Sequence, residues 1–410
     1  MNLKYRKSKA VILNIGSGKF FLHQTAESLD MLGLLASTIS GITKVPQFLN
    51  FSPTSKFSRL VRLQNRMKPL DPNVRQIQVV SGELLWQIAT LVGRYKKLTQ
   101  LSKFLYFCAA TRFDIAARRQ IGKFANIPNL IYHFRAGFGG KSVKVAKSHG
   151  IPTICDHSIC HPNYDWWIKE PNPLKSTGIF NLERLILNDL NTSDHIIVNS
   201  DFVAETFRIC GNTRKLQVMT PPIDEKFIQL IHTSSVAKRQ GVTFVGTCEF
   251  RKGIDVLTEI IKFLPSDISV KVIGNWNPEA ISFRSILKNF SNVQIFPFLN
   301  SFEISNILQN SLIFIFPSRA EGSARVVGEA MHAGCIPLIT KESGLPLRNN
   351  AGYLINELSE KEIAELIMDI TCDIESHNSM SLAAKRAIQE IEMSYLPNLL
   401  NFYDKIGNDG

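Results

Sequence analysis

Two glutamates eight residues apart, Glu321 and Glu329, stand in a segment where an apolar strand pattern stops at Pro317 and a helical pattern follows a run of small residues. Ser323 has the chemistry of an N-cap, which predicts a helix from Ala324. The amides of Ser323, Ala324 and Arg325 would then emerge unpaired at the helix N-terminus. With the helix dipole they would suit a diphosphate or sugar hydroxyls. Gly322, Ser323 and Ala324 are small enough to let a ligand reach the backbone. Each carboxylate could accept two hydroxyls, which a ribose and a hexose both offer. An isolated glutamate is more often a solvated charge, so the reading needs a second cluster. One lies in residues 244–257, where a strand pattern meets Gly246 and a loop carries Arg251 and Lys252 before Gly253 and a helical pattern. Two cations beyond a strand end could neutralise a leaving diphosphate.

These segments need scaffolds that bring strand ends together. Apolar, β-branched runs at 10–15, 129–132, 152–155, 195–198 and 216–219 alternate with helical patterns at 26–37, 141–148, 182–190 and 201–210. A second series follows, with strands at 242–245, 269–273, 293–296, 312–316 and 336–339 and helices at 256–263, 304–309 and 324–333. Uninterrupted apolar strands between helices predict parallel sheets covered on both faces. The expected architecture is α/β, with two doubly wound Rossmann-like domains, residues 1–223 and 241–390, joined by a polar linker, 224–240. Ligands in such sheets bind beyond the carboxyl ends of the strands, so the expected site is the cleft where the domains face each other.

Composition narrows the partners. The chain has 410 residues, 44% hydrophobic and 20% charged, enough to bury two cores. No run reaches the ~18 apolar residues of a spanning helix, and the basic start before 10–15 reads as the approach to a strand rather than a signal peptide. Seven scattered cysteines without a CxxC pair argue against a disulfide framework or a zinc site and fit a reducing cytoplasm. Of the formal net charge of +12, residues 56–123 supply an excess of 11, with 14 Lys/Arg against 3 acids. Such a field attracts phosphates, nucleic acid or anionic lipid. No nucleic-acid module signature accompanies it, so no nucleic acid is expected.

Taken together, the two site segments resemble the retaining GT-B glycosyltransferases of glycosyltransferase family 4. Glu321-x7-Glu329-Ala-Met-His-Ala-Gly334 matches the family's Glu-x7-Glu element, and Gly246-x5-Lys252-Gly253 its lysine loop. Residues 193–200 and Pro221-Pro-Ile-Asp224-x-x-Phe227 are similar to two further elements. The resemblance is strong over about 182–351 and thin before that. It implies transfer of a sugar from a UDP-, GDP- or ADP-linked donor to a glycan or lipid-linked acceptor, with retention and without a metal. It assigns Lys252, with Arg251 beside it, to the donor diphosphate. Glu321 and the backbone of Gly322, Ser323, Ala324 and Arg325 would hold the donor sugar, and Glu329 the ribose. The turn of Gly16 and Gly18 would face donor and acceptor across the cleft. A histidine of the N-terminal domain would line the reaction centre, and either His157 or His161 fills that place. Residues 391–410 would form a helix packed back on the N-terminal domain. Thr247 stands where many members carry arginine, which keeps open a non-catalytic, nucleotide-sugar-binding partner subunit on a degenerate fold. The basic stretch, interleaved with Phe57, Leu60, Val61, Leu63, Leu101, Phe104 and Leu105, suggests a peripheral place on an anionic membrane or a groove for a soluble anionic acceptor.

Overall fold

Ala10–Gly16 forms the central strand β1, with six of its seven residues buried. A strand covered on both faces must be apolar at nearly every position, and Ala-Val-Ile-Leu-Asn-Ile-Gly is. The computed structural model describes residues 10–18, 21–42, 74–93, 95–172, 180–214, 216–232 and 239–408. Residues 56–68 of the basic stretch, including Phe57, Leu60, Val61 and Leu63, lie outside them, as do 233–238 of the expected linker.

The first sheet takes the order β3-β2-β1-β4-β5-β8-β9, with every pairing parallel. Its further strands are β2 (Leu35–Ser40), β3 (Gln76–Gln78), β4 (Leu130–Arg135), β5 (Thr153–His157), β8 (His195–Val198) and β9 (Leu216–Val218). The remaining two strands, β6 (Tyr164–Asp165) and β7 (Glu170–Pro171), make a small antiparallel ribbon. The helix expected over 26–37 is instead α1 (Leu22–Met31) followed by β2. Gly33, at φ +70°, stops the helix, and the Leu34 amide donates back to the Leu29 carbonyl at 2.9 Å. The chain beyond it, Leu-Ala-Ser-Thr-Ile-Ser, is free to enter the sheet. α2 (Val80–Val92) and α3 (Thr99–Phe124) form an antiparallel hairpin. It is held by Ser102 Oγ donating to the Ala89 carbonyl (2.8 Å) and by Trp86 against Tyr106. α4 (Gly140–Ser148), α5 (Leu182–Thr192) and α6 (Asp201–Ile209) complete this domain.

The second sheet runs β12-β11-β10-β13-β14-β15, again parallel. It comprises β10 (Val242–Val245), β11 (Val270–Ile273), β12 (Val293–Phe296), β13 (Ile313–Phe316), β14 (Ile336–Ile339) and β15 (Tyr353–Leu354). Around it lie α7 (Glu225–Ile228), α8 (Ile254–Ile261), α9 (Ile281–Leu287), α10 (Ser301–Gln309), α11 (Arg325–Ala333), α12 (Glu360–Cys372) and the long α13 (Ile374–Asn408). Ile223 and Phe227 already belong to this second core. α13 serves both domains. Ala384 and Ile388 sit in the second core, while Tyr395, Leu399, Tyr403 and Ile406 sit with Leu13, Leu22 and Ile131 on one face of the first sheet. There Tyr403 Oη lies 2.7 Å from His133 Nδ1, and Tyr395 Oη 3.1 Å from Thr25 Oγ1. Among the described residues no helix is long and apolar enough to cross a membrane.

Candidate active site

β10 and β13 are neighbours, so the lysine loop and the glutamate turn leave the sheet side by side. The two loops are then stitched together. The Arg319 amide and Ser318 Oγ both donate to the Arg251 carbonyl, at 2.8 and 3.1 Å. Gly253, at φ +74°, lets the chain pass Pro317, whose carbonyl oxygen occupies the place of any Cβ. The outcome is an ion cluster. Glu321 Oε1 lies 2.8 Å from Lys252 Nζ and 2.8 Å from Arg251 NH1. Arg251 NH2 donates to Glu249 at 2.7 Å. Burial alone would lower the Arg251 pKa, but Glu321 and Glu249 hold it above its ordinary value. Lys252 Nζ also sits 5.0 Å above the Phe316 ring.

A cavity of about 350 Å³ opens here, lined by Gly246, Lys252, Glu321, Ser323, Arg325 and Glu329 among others. Lys252, about 70 residues earlier in the chain, thus shares one space with Glu321 and Glu329. Burial pushes the Glu329 carboxyl up to about 7, with Arg325 opposing and Asp224 reinforcing the shift. It is therefore not the solvated helical charge that isolated glutamates usually are. One local expectation is corrected. α11 begins at Arg325, with Ala324 as N-cap and no side-chain capping bond, so Ser323 does not cap it. The Ala324 amide is also taken, donating to the Ser343 carbonyl at 2.8 Å, as the Glu321 amide is by the Glu342 carbonyl. The first-turn amides that remain for a ligand are those of Arg325 and Val326, and both residues line the cavity.

Gly16, Gly18, His157 and His161 do not line this cavity. They belong to the facing domain. Gly16 and Gly18 have φ of +72° and +79°, and the Phe138 ring fills the space where a Gly16 side chain would project. The turn is fixed by Arg135 NH1 donating to the Ser17 carbonyl (3.0 Å) and by the Gly18 amide donating to Glu83 Oε2 (3.3 Å). Burial pushes Arg135 down to about 10, offset by Asp156 and Glu83.

His157 ends β5, and His161 follows in the next loop. Nε2 of His157 lies 3.0 Å from the Cys160 carbonyl and so carries the proton it donates. Burial holds this imidazole at about 4, the Cys160 bond opposing, so it is neutral at physiological pH with Nδ1 as acceptor. Burial likewise lowers His161 to about 4. Its Nδ1 accepts from the Asn163 amide, and its own amide donates to Thr206 Oγ1 at 3.0 Å. Both rings stand edge-on to Phe207. They differ in their reach toward the other domain. Ser158, next to His157, presses its carbonyl oxygen on Gly322, where any Cβ would collide with it. His157 is thus one residue from the glutamate turn, whereas His161 ties its loop to α6.

Sequence reasoning missed several supporting groups. Arg319 pairs with both Asp255 oxygens (2.9 and 2.7 Å) and stands 5.4 Å over the Trp167 ring, so the β6–β7 ribbon reaches the loops that follow β10 and β13. Lys169 of the same ribbon lies 3.3 Å from Glu342. Arg319 sits in the same string as Glu321 and could have been found there. Glu83 and Arg135 had no local signal, because only the fold brings them to the glycine turn. A larger cavity, about 750 Å³, lies between α6, the segment after β14 and α13, and holds none of the expected site residues.

Two facing parallel α/β sheets of this kind make the GT-B fold, and comparisons with known proteins agree. Residues 231–387 match the family Glycosyl transferases group 1, which places such a domain in the C-terminal half of the chain. Among solved structures, sucrose-phosphate synthase from Thermosynechococcus elongatus superposes with a TM-score of 0.67 at 14% identity, covering 98% of this chain and 100% of that one. HepE of Anabaena, in complex with UDP, gives 0.62 at 13% identity over 96% and 100% of the two chains. The trehalose-6-phosphate protein from E. coli, bound with UDP-2-fluoro glucose, gives 0.62 at 10% identity over 96% and 99%. No curated protein matches this chain by sequence.

Proposed function

We propose that the protein is a retaining glycosyltransferase that moves a hexosyl group from a nucleotide sugar to a hydroxyl of a glycan or lipid-linked acceptor, in polysaccharide or glycolipid synthesis in the cytoplasm. The observation that carries this reading is the convergence of Lys252, Glu321 and Glu329 on one cavity beside the first turn of α11. The N-terminal domain takes the acceptor and the C-terminal domain the donor. Lys252, with Arg251, binds the diphosphate, and the amides at the start of α11 add their dipole to it. Glu329 receives the ribose hydroxyls. Glu321 and the backbone from Gly322 to Arg325 hold the sugar. His157, neutral and adjacent to the Ser158–Gly322 contact, faces the reaction centre.

In the reaction the bond between the anomeric carbon and the phosphate oxygen breaks, and a bond to the acceptor oxygen forms on the same face. The acceptor proton passes to the leaving diphosphate. Retention by a covalent enzyme intermediate would need a carboxylate at the scissile bond. Glu321 is instead tied to two cations and Glu329 serves the ribose. The cations do the work a metal would otherwise do, so the reaction needs none. Thermal stabilisation screened against UDP-, GDP- and ADP-sugars in EDTA should single out one donor, with a ligand at about 100 times its Kd adding ~2.7 kcal/mol. Transfer from that donor should survive chelation. Loss of activity in EDTA with recovery on adding Mn²⁺ or Mg²⁺ would refute the metal-free part, and a flat screen would refute the donor site.

Glu329 adds a pH signature. Its pKa in the folded, unliganded protein is raised from 4.5 to about 7, so the folded chain binds this proton more tightly than the unfolded one. Unliganded stability should therefore decline as pH rises from 4.5 to about 7. Ribose hydroxyls favour the ionised carboxylate, so nucleotide affinity should rise as pH passes upward through about 7. Titration calorimetry across this range checks it, and Glu329→Gln should flatten the profile.

A further inference from the structure

We propose that the α2–α3 hairpin is a docking surface for an anionic membrane, inserting an apolar stripe beside the acceptor side of the cleft. The first observation is apolar exposure at helical spacing. Val80, Leu84, Ile88 and Leu91 recur every three or four residues on α2, and each is between 46% and 52% exposed. Soluble helices bury such a stripe. The exposure continues round the hairpin through Tyr95, Leu98, Leu101 and Phe104. Leu85, Trp86 and Ala89 on the other face of α2 account for its packing, since Trp86 joins the core cluster and Ala89 is buried.

The second observation is charge. Lys97 is exposed at the tip of the hairpin. Arg112, Arg119 and Lys123 are exposed on α3 and stand 11, 18 and 22 residues beyond Leu101. Those spacings are about three, five and six turns, so the four residues share one face of the helix. Asp114, the acid of α3, is buried and spent on Arg118 at 3.2 Å and on the Ser142 amide. Apolar residues toward the tip with cations that make no ion pair among the described residues, along the same helix, fit a bilayer interface with anionic headgroups. A soluble anionic acceptor would use the cations but would leave the apolar stripe in water.

The third observation is position. Glu83, on the first turn of α2, accepts from the Gly18 amide at 3.3 Å. The stripe thus starts one turn from the glycine turn that faces the cleft. A surface so placed would hold the acceptor mouth at the headgroup level. This last step rests on the proposed glycosyl transfer, whereas the docking itself does not.

Flotation of the full-length chain tests it. The protein should float with phosphatidylglycerol vesicles at low salt, lose much of that binding at ~0.5 M salt, and stay behind with phosphatidylcholine. Leu84→Gln/Ile88→Gln/Leu91→Gln should abolish flotation. Lys97→Gln/Arg112→Gln/Arg119→Gln should weaken it by roughly fivefold per cation removed. All six positions are solvent-exposed, and both variants should keep the circular dichroism and the nucleotide-sugar thermal shift of the parent. A chain that floats on neither vesicle, or a stripe variant that floats like wild type, overturns the proposal. So does sedimentation showing that the stripe closes a dimer that the triple variant dissolves. A protein that floats yet binds no nucleotide sugar would leave the docking standing and remove the proposed transfer.

Discussion

Replacing Lys252 with alanine should slow glycosyl transfer by about 10²–10³-fold, the usual cost of removing one preorganised donor from a developing anion. The side chain is held in place before any ligand arrives, by Glu321 at 2.8 Å and by the Phe316 ring. Little reorganisation is then needed when a diphosphate displaces the carboxylate. The same substitution should also cancel thermal stabilisation by the nucleotide sugar. Glu321→Ala should behave differently. It releases Lys252 from its carboxylate and leaves Arg251 with Glu249, so nucleotide binding should survive while transfer falls more than tenfold, as expected for loss of a charge-assisted hydrogen bond of roughly 1.5–3 kcal/mol. Single-turnover rates alongside nucleotide titrations separate the two. Wild-type transfer by Lys252→Ala would reduce the cluster to a structural ion pair.

A chain ending at Ser394 should lose the N-terminal domain's cooperative unfolding. The truncation removes Tyr395, Leu399, Tyr403 and Ile406, each at most 6% exposed, from one face of the first sheet. Burial of a large apolar side chain is worth roughly 1.5–3 kcal/mol, and a whole domain has only about 5–15 kcal/mol to lose. His133 would also be stripped of the Tyr403 hydroxyl. Calorimetry and limited proteolysis should show early melting of the N-terminal domain, with the C-terminal domain less affected. A truncated chain that melts like the full-length protein would contradict this.

The parts of this molecule that were legible in its sequence share a physical cause. Strands such as His195–Val198, Val242–Val245 and Ile336–Ile339 are buried on both faces and therefore read as continuous apolar runs. β2 escaped because Leu-Ala-Ser-Thr-Ile-Ser carries little hydrophobic weight and follows a helix closely. Its one signal was Gly33. α3 escaped because its cations draw the eye as a charge run, although Phe113, Ala117 and Ile121 mark its buried side at helical spacing. In the site, Lys252, Glu321 and Glu329 each lie within a short continuous segment, so spacing could find them. Glu83, Arg135 and the Ser158–Gly322 contact depend on chain segments that only the folded molecule brings together.

That last contact bears on how such a protein can diversify. Gly322 meets the Ser158 carbonyl main chain to main chain, and Gly344 packs in turn on the Gly322 carbonyl. At this point the two domains are separated by backbone thickness, while the Trp167–Arg319 and Lys169–Glu342 side-chain contacts bridge them nearby. Cavity-wall residues such as Ser323 or Val326 are free to drift without changing that gap. Mutational drift can reshape the cavity while that gap stays constant, and selection on 322 should tolerate no residue but glycine.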